Sequence, residues 1–305
     1  MKRNLIINMH VVDNPQWFEH TVLWLKSNYT MVSLSVFEDK KNYSKRQSLC
    51  HLTFDDGDLT FYTVAFPVLK KHNVPVTIFV SPEKIVSHKN FWFQEIEGYD
   101  TVKMAEIVSN NSLIPFEMAK EYGMHAVLKC FEIEKINEFI KIYQTHTDTP
   151  PKEFRNMNLD EILDAKNSGL VTIGAHTLSH PILDNETDEK CEQEIAVSIL
   201  KLSELINEEV RYFAYPNGIP NLDFGEREKE ILRENHIKIA VSTEPNFATK
   251  RIDEFAFPRK GITYGNIRFI KFKLFLGKSW NFVKNIQKLS ERRKREILRK
   301  KLYLC

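Results

Sequence analysis

Short apolar runs rich in β-branched residues alternate along this chain with longer segments whose apolar positions recur every three or four residues. Leu5–Val12, Leu49–Phe54, Val76–Val80, Leu170–Ala175, Arg211–Tyr215, Ile237–Ser242 and Phe255–Phe257 read as buried strands. Asn14–Ser27 places Trp17, Phe18, Val22 and Leu25 at helical spacing, and Asp188–Asn207 does the same with Ile195, Ile199, Leu202 and Leu205. Leu159–Lys166 starts after Asn158, a capping residue, and stops at Asn167-Ser168-Gly169. Strands alternating with helices predict an α/β fold with a mostly parallel sheet. The pattern suits a closed barrel and a doubly wound sheet equally.

Between Ser81 and Pro151 the rhythm breaks. No strand stands out there, but Phe91-Trp92-Phe93 forms an aromatic cluster, and Ile107–Lys120 and Ala126–Tyr143 carry helical patterns. We read a helical insertion at about 82–151 within a body spanning 1–277.

Composition adds exclusions. The 305 residues are 42% hydrophobic and 28% charged, ordinary globular usage that rules out wholesale disorder or a fibrous repeat. The net charge of +2 conceals an asymmetry. From Lys278 onward ten Lys or Arg face two Glu, a net +8, so the remaining chain carries −6. A mildly acidic body gives no reason to expect nucleic acid as a partner. Cys50, Cys130, Cys191 and Cys305 lie far apart and read as reduced thiols. The start, Met1-Lys2-Arg3-Asn4 before Leu5 to Met9, lacks the apolar length and cleavage site of a signal peptide. No stretch approaches the ~20 apolar residues of a membrane span. A cytoplasmic protein is the expectation.

Three clusters fall at the carboxyl ends of expected strands, where α/β folds place their sites. The first is Thr53-Phe54-Asp55-Asp56-Gly57. Adjacent carboxylates at a strand end point in different directions, so one can ligate a metal while the other stays free as a base. By itself Asp-Asp-Gly also reads as a capped turn. The second is His176-Thr177-Leu178-Ser179-His180, two histidines four apart, expected on one side of a helical turn where they can grip a divalent cation. With Asp56 they make an Asp-His-His set that leaves positions open. The third is Tyr215-Pro216-Asn217-Gly218, a rigid turn able to aim a backbone N–H at an oxyanion, or simply a strand end.

Together the three clusters resemble the motifs of polysaccharide deacetylases of the NodB-homology type, carbohydrate esterase family 4. Thr-Phe-Asp-Asp-Gly is similar to that family's first motif, His-Thr-x-x-His to its second, and Tyr-Pro-Asn-Gly to a variant of its third. The resemblance implies a distorted (β/α)7 barrel, here with a helical insertion and a basic C-terminal helix. It also implies that Asp55 is the general base and that Asp56, His176 and His180 hold a divalent metal, most often zinc, with cobalt, nickel or manganese also suited to such ligands. That metal polarises the acetyl carbonyl and binds the attacking water, and the Asn217 N–H helps to hold the oxyanion. The implied activity is removal of N-acetyl groups from amino sugars of a polysaccharide or lipid-linked glycan. A small amide or cyclic imide as substrate, or an inactive glycan-binding barrel, are the alternatives.

Two departures stand out. Many relatives carry an arginine before the third-motif proline that orients the base, and Ala214 stands there. Arg259, in Phe257-Pro258-Arg259-Lys260-Gly261, either replaces it or is a surface charge. The family's late Leu-x-His, whose histidine protonates the leaving amine, has no counterpart after His236. His10, in Ile7-Asn8-Met9-His10-Val11-Val12, resembles an opening seen in a subset of these enzymes and is the candidate acid, or else a structural histidine.

The tail, 278–305, places Trp280, Phe282, Val283, Ile286 and Leu289 beside Lys284, Lys288 and Arg292-Arg293-Lys294-Arg295. An apolar stripe flanked by cations fits a helix lying on an anionic inner-membrane face. It equally fits a helix packed on the barrel.

Overall fold

A computed structural model describes residues 3–44, 48–266, 268, 271 and 278–302, with 43–44 and 278–288 as backbone alone. Among the described residues eight strands form one sheet: β1 (Leu5–Met9), β2 (Thr30–Met31), β3 (Leu49–Phe54), β4 (Val76–Val80), β5 (Val171–Ala175), β6 (Tyr212–Ala214), β7 (Ile239–Val241) and β8 (Lys260–Gly261). The order is β7-β6-β5-β4-β3-β1-β8, with β2 beside β3, and every pairing is parallel. Parallel strands covered on both faces carry near-continuous apolar runs, which is why β1, β3 and β4 are legible in the sequence and buried throughout.

The sheet curls until one short segment meets both of its edges. Phe257 bridges to Val241 of β7, accepting from Ser242 N at 2.7 Å and donating to Ala240 O at 2.8 Å. Three residues on, Lys260 and Gly261 pair with Ile7 and Asn8 of β1. This is the architecture of a distorted (β/α)7 barrel.

Phe255–Phe257 is not a strand. Asp253 Oδ1 accepts from Phe255 N at 2.8 Å and starts a 3-10 turn over Glu254–Ala256, so the last strand is displaced to β8. Leu5–Val12 is extended only as far as Met9, and the chain then turns toward the barrel mouth.

Capping behaves as the residue types dictate. Asn14 Oδ1 accepts from Trp17 N at 2.8 Å ahead of Pro15–Asn28, and Asn158 with Glu161 makes a capping box for Leu159–Asn167. The pattern over 188–207 is continuous but contains a π turn, Gln193–Val197, between Asp188–Glu192 and Ser198–Ile206.

The insertion is helical, with breaks that periodicity did not mark. Ile107–Lys120 is two helices, Thr101–Asn110 and Phe116–Tyr122. Asn111 and Ser112 side chains bond the carbonyls of Ile107 and Val108, and Pro115 begins the next helix. Ala126–Tyr143 is likewise Met124–Leu128 and Ile133–Thr147, and Asn185 from the barrel donates to the Lys129 and Phe131 carbonyls in the gap. The insertion has its own core, including Trp92, Met104, Phe139 and Tyr143, separate from the barrel core.

The C-terminal helix, Lys278–Leu302, adds Leu298 to that core, with Leu302 packed against it. Trp280, Phe282, Val283 and Ile286, with Lys284 and Lys288, lie outside the described side chains, and Leu289 is exposed. No helix among the described residues is long and apolar enough to cross a membrane. Cys50, Cys130 and Cys191 are buried free thiols, and Cys305 lies outside the described residues.

Candidate active site

Asp55 continues the ladder beyond β3, its N–H donating to Met9 O at 3.1 Å. Asp56 (φ 71°) and Gly57 (φ 69°) then both adopt the left-handed region, which reverses the chain and sends the two carboxylates apart. A Cβ on Gly57 would stand 2.9 Å from Val80 Cγ1, so the turn has room only for glycine.

Asp55 faces Arg259. Nη1 donates to Oδ1 at 2.7 Å and Nη2 to Oδ2 at 2.8 Å, a bidentate clamp. The arginine side chain is wholly enclosed, with further bonds to Thr53 Oγ1 (3.0 Å) and Ser242 O (3.1 Å). Burial alone would raise the Asp55 carboxyl, but the guanidinium outweighs it and holds the group below the ordinary aspartate range.

His176 and His180 face Asp56 from the end of β5. Their Nε2 atoms stand 3.5 and 3.6 Å from Asp56 Oδ1. The loop carrying them is not a helical turn, because Thr177 (φ 62°) and His180 (φ 67°) are both left-handed. Three features fix it: His176 Nδ1 bonds Ala214 O at 2.6 Å, His180 N donates to Thr177 Oγ1 at 3.0 Å, and Glu194 anchors the tip. The Glu194 carboxylate, buried in the π turn, accepts from Leu178 N (3.0 Å), Ser179 N (2.9 Å) and Ser179 Oγ (2.7 Å).

Burial drives the His180 imidazole down to about 3, with the neighbouring His176 adding to the effect. Burial opposes charge on His176 too, but its contact with Asp56 and the nearby Asp55 carboxylate carry it above the ordinary value. The same contacts hold Asp56 far below the usual range against its own burial.

The donor set suits a divalent cation. One ligand atom from each of Asp56, His176 and His180 lies within 4.8 Å of the others. Asp56 Oδ1, which both Nε2 atoms face, is buried without a hydrogen-bond partner among the described residues, an arrangement that is costly unless something else satisfies it. The Ala214 carbonyl also orients His176, the outer support that metal-binding imidazoles use.

After β6 the third cluster turns through Asn217 (φ 55°) and Gly218 (φ 66°). Thr243 ties the turn to the barrel, its Oγ1 donating to Asn217 O and its N–H to Gly218 O, each at 2.8 Å. Among these four residues Asn217 lines the cleft. Tyr215 does not: it is 1% exposed, stacked on Phe224, with its hydroxyl donating to Phe255 O. Pro216 is buried, and Gly218 serves the turn.

Residues 42–234 match the polysaccharide deacetylase family. The chain belongs to that family. Two curated relatives are poly-beta-1,6-N-acetyl-D-glucosamine N-deacetylases. The one from Staphylococcus epidermidis is 36% identical over 86 residues, 27% of this chain and 28% of its own length. That from Staphylococcus aureus strain MSSA476 is 36% identical over 67 residues, 21% of this chain and 22% of its own. The matches thus span less than a third of either relative. Among solved structures, IcaB from Ammonifex degensii superposes with a TM-score of 0.58 at 19% identity, covering 86% of this chain and 93% of that one. The Streptococcus pyogenes deacetylase PplD in complex with acetate gives 0.57 at 18%, covering 85% and 92%. These two share the fold.

In this member of the family the site opens into a cleft of about 580 Å³. His10, half exposed, lines it with Nε2 3.9 Å from Asp55 Oδ2 and 4.0 Å from Asp56 Oδ2. The insertion supplies one wall, which the sequence did not foreshadow. Trp92 Nε1 donates to His180 O at 3.3 Å, and the Phe93 ring stands 4.9 Å from the His180 ring. His125 and Lys129 complete that wall, and Tyr264 rims the other side. Glu194 was equally missed. Its one sequence signal is an acid on the apolar face of a helix, beside Ile195 and three residues after Cys191.

Proposed function

We propose that this chain hydrolyses the N-acetyl group of an amino sugar in a glycan, with a β-1,6-linked N-acetylglucosamine polymer or a lipid-linked glycan as the substrate class. The observation that carries the reading is the juxtaposition of an Arg259-clamped Asp55 with the Asp56-His176-His180 group. The names of the curated relatives support the sugar chemistry.

A divalent cation held by Asp56, His176 and His180 supplies Lewis acidity toward the amide carbonyl and lowers the pKa of water. The remaining work falls to the protein. Asp55, kept ionised by Arg259, accepts the proton of the attacking water. The clamp restricts which lone pair is presented, since both oxygens already accept from the guanidinium. The N–H at Asn217 meets the developing oxyanion. His10, standing against both carboxylates and open to the cleft, delivers a proton to the departing amine.

The test is acetate release from N-acetylglucosamine oligomers, with metal content measured on the same preparations. Asp55→Asn is expected to keep its metal and lose activity by roughly 10²–10⁴-fold. Full activity in that variant overturns the assignment. Release from imides but from no N-acetylated saccharide overturns the sugar.

A further inference from the structure

The basic C-terminal helix hides one of its charges. Arg293, Lys294 and Lys300 are exposed, whereas the Arg295 side chain is completely enclosed. A buried guanidinium is costly unless its bonds are made. Here Nη1 donates to Asp223 Oδ1 at 2.5 Å and Nη2 to Glu291 Oε1 at 2.7 Å.

Asp223 is equally enclosed and spends its other oxygen on the backbone, accepting from Ile219 N at 2.8 Å. Ile219 stands two residues after Asn217. The chain of contacts therefore runs from the helix, through one carboxylate, to the turn that carries the oxyanion donor. Flanking arginines hold the same loop: Arg292 donates to Asn221 O at 3.0 Å, and Arg299 to Asp184, whose N–H bonds Asp223 O. Glu291 also faces Lys129 of the cleft wall at 3.4 Å. Thr243 holds the turn from the barrel side, so Asn217 lies between two anchors.

Leucines alone would dock such a helix as well as a buried ion pair does, since apolar replacements of buried pairs are often neutral or stabilising. What the pair adds is a fixed geometry for a named backbone amide. We propose that Arg295, outside the region of the family match, is a positioning residue for the active site, setting the Asn217 turn through Asp223. The assignment of a catalytic consequence rests on the deacetylase reading above.

The test uses the full chain, metal-loaded, as Arg295→Met and as the double variant Arg295→Met, Asp223→Asn, which leaves no unpaired charge inside. Hydrogen exchange is followed in 217–223 and in β3 and β4, alongside steady-state acetate release. Both variants are expected to exchange about tenfold faster in the loop with the strands unchanged. They are also expected to lose kcat by roughly 10- to 100-fold with KM held within about twofold. Loop exchange at the wild-type rate overturns the proposal, as does acceleration spread equally over β3 and β4, or an unchanged kcat. Should Arg295→Met not fold, the double variant decides by the same criteria. If wild-type protein releases no acetate from any saccharide, the deacetylase reading falls, and the exchange measurement still decides whether the helix fixes the turn.

Discussion

Arg259 reaches Asp55 across 204 positions of sequence and binds both of its oxygens, at 2.7 and 2.8 Å. On the proposed reading the guanidinium takes the role that Ala214 leaves vacant in the third cluster, approaching from the residue before β8 instead of from the end of β6. Ala214 still contributes, through the carbonyl that orients His176.

Removing that clamp strands a buried carboxylate. Arg259→Met is expected to cost about 3–5 kcal/mol in denaturant unfolding and to lower acetate release by at least ~10²-fold. Asp55→Asn combined with Arg259→Met should recover most of the stability and none of the activity. A single variant as stable as wild type would show that Asp55 needs no partner.

Glu194 touches no ligand atom, yet three donors from the His180 loop converge on its carboxylate. Glu194→Ala should weaken metal binding about 10- to 100-fold, read by competition with a chromophoric chelator. Glu194→Gln, which keeps an acceptor, should fall between. Unaltered affinity in the alanine variant would remove this role.

If His10 protonates the leaving amine, its loss matters only for poor leaving groups. His10→Gln is expected to lower kcat on N-acetyl sugars by roughly 10²–10⁴-fold while an acetate ester with a good leaving group is hydrolysed nearly as before. Equal losses on both substrates would contradict an acid role.

Glu186 gives a pH dependence away from the metal ligands. Burial pushes its carboxyl up to about 7 while Oε1 accepts from Ile133 N at the head of an insertion helix. A raised acid binds its proton more tightly folded than unfolded, so its stabilisation is complete below the unfolded value of ~4.3 and disappears as pH climbs through 7. The stability of wild type relative to Glu186→Gln should therefore fall by about 2 kcal/mol between pH 4.5 and pH 8, allowing for partial solvent screening. A difference that stays flat across that range would contradict the shift.

Most of the strands and the two clusters that meet at Asp56, His176 and His180 were legible for one reason. In a parallel sheet covered on both sides, an apolar run ends where the mouth begins, so Asp55-Asp56 and His176 stand out immediately after β3 and β5. Features held by distant partners left no such mark. The conformation of 176–180 depends on Glu194, the breaks in the insertion depend partly on Asn185, and the fate of Tyr215 depends on Phe224 and Phe255. The tail cations read as the flanks of an apolar stripe, although Arg292, Arg295 and Arg299 follow i, i+3, i+7 spacing and bond to the barrel side together. Periodicity reports that such a face exists, not what lies opposite it.

The segment that brings the two edges of the sheet together, residues 257–261, is also the one that carries Arg259. During synthesis Asp55, Asp56, His176 and His180 all emerge before it, so the residues of the site precede the arginine that clamps Asp55. On the reading proposed above, ring closure and the clamping of Asp55 arrive in the same event, so a partly unfolded barrel is expected to release no acetate.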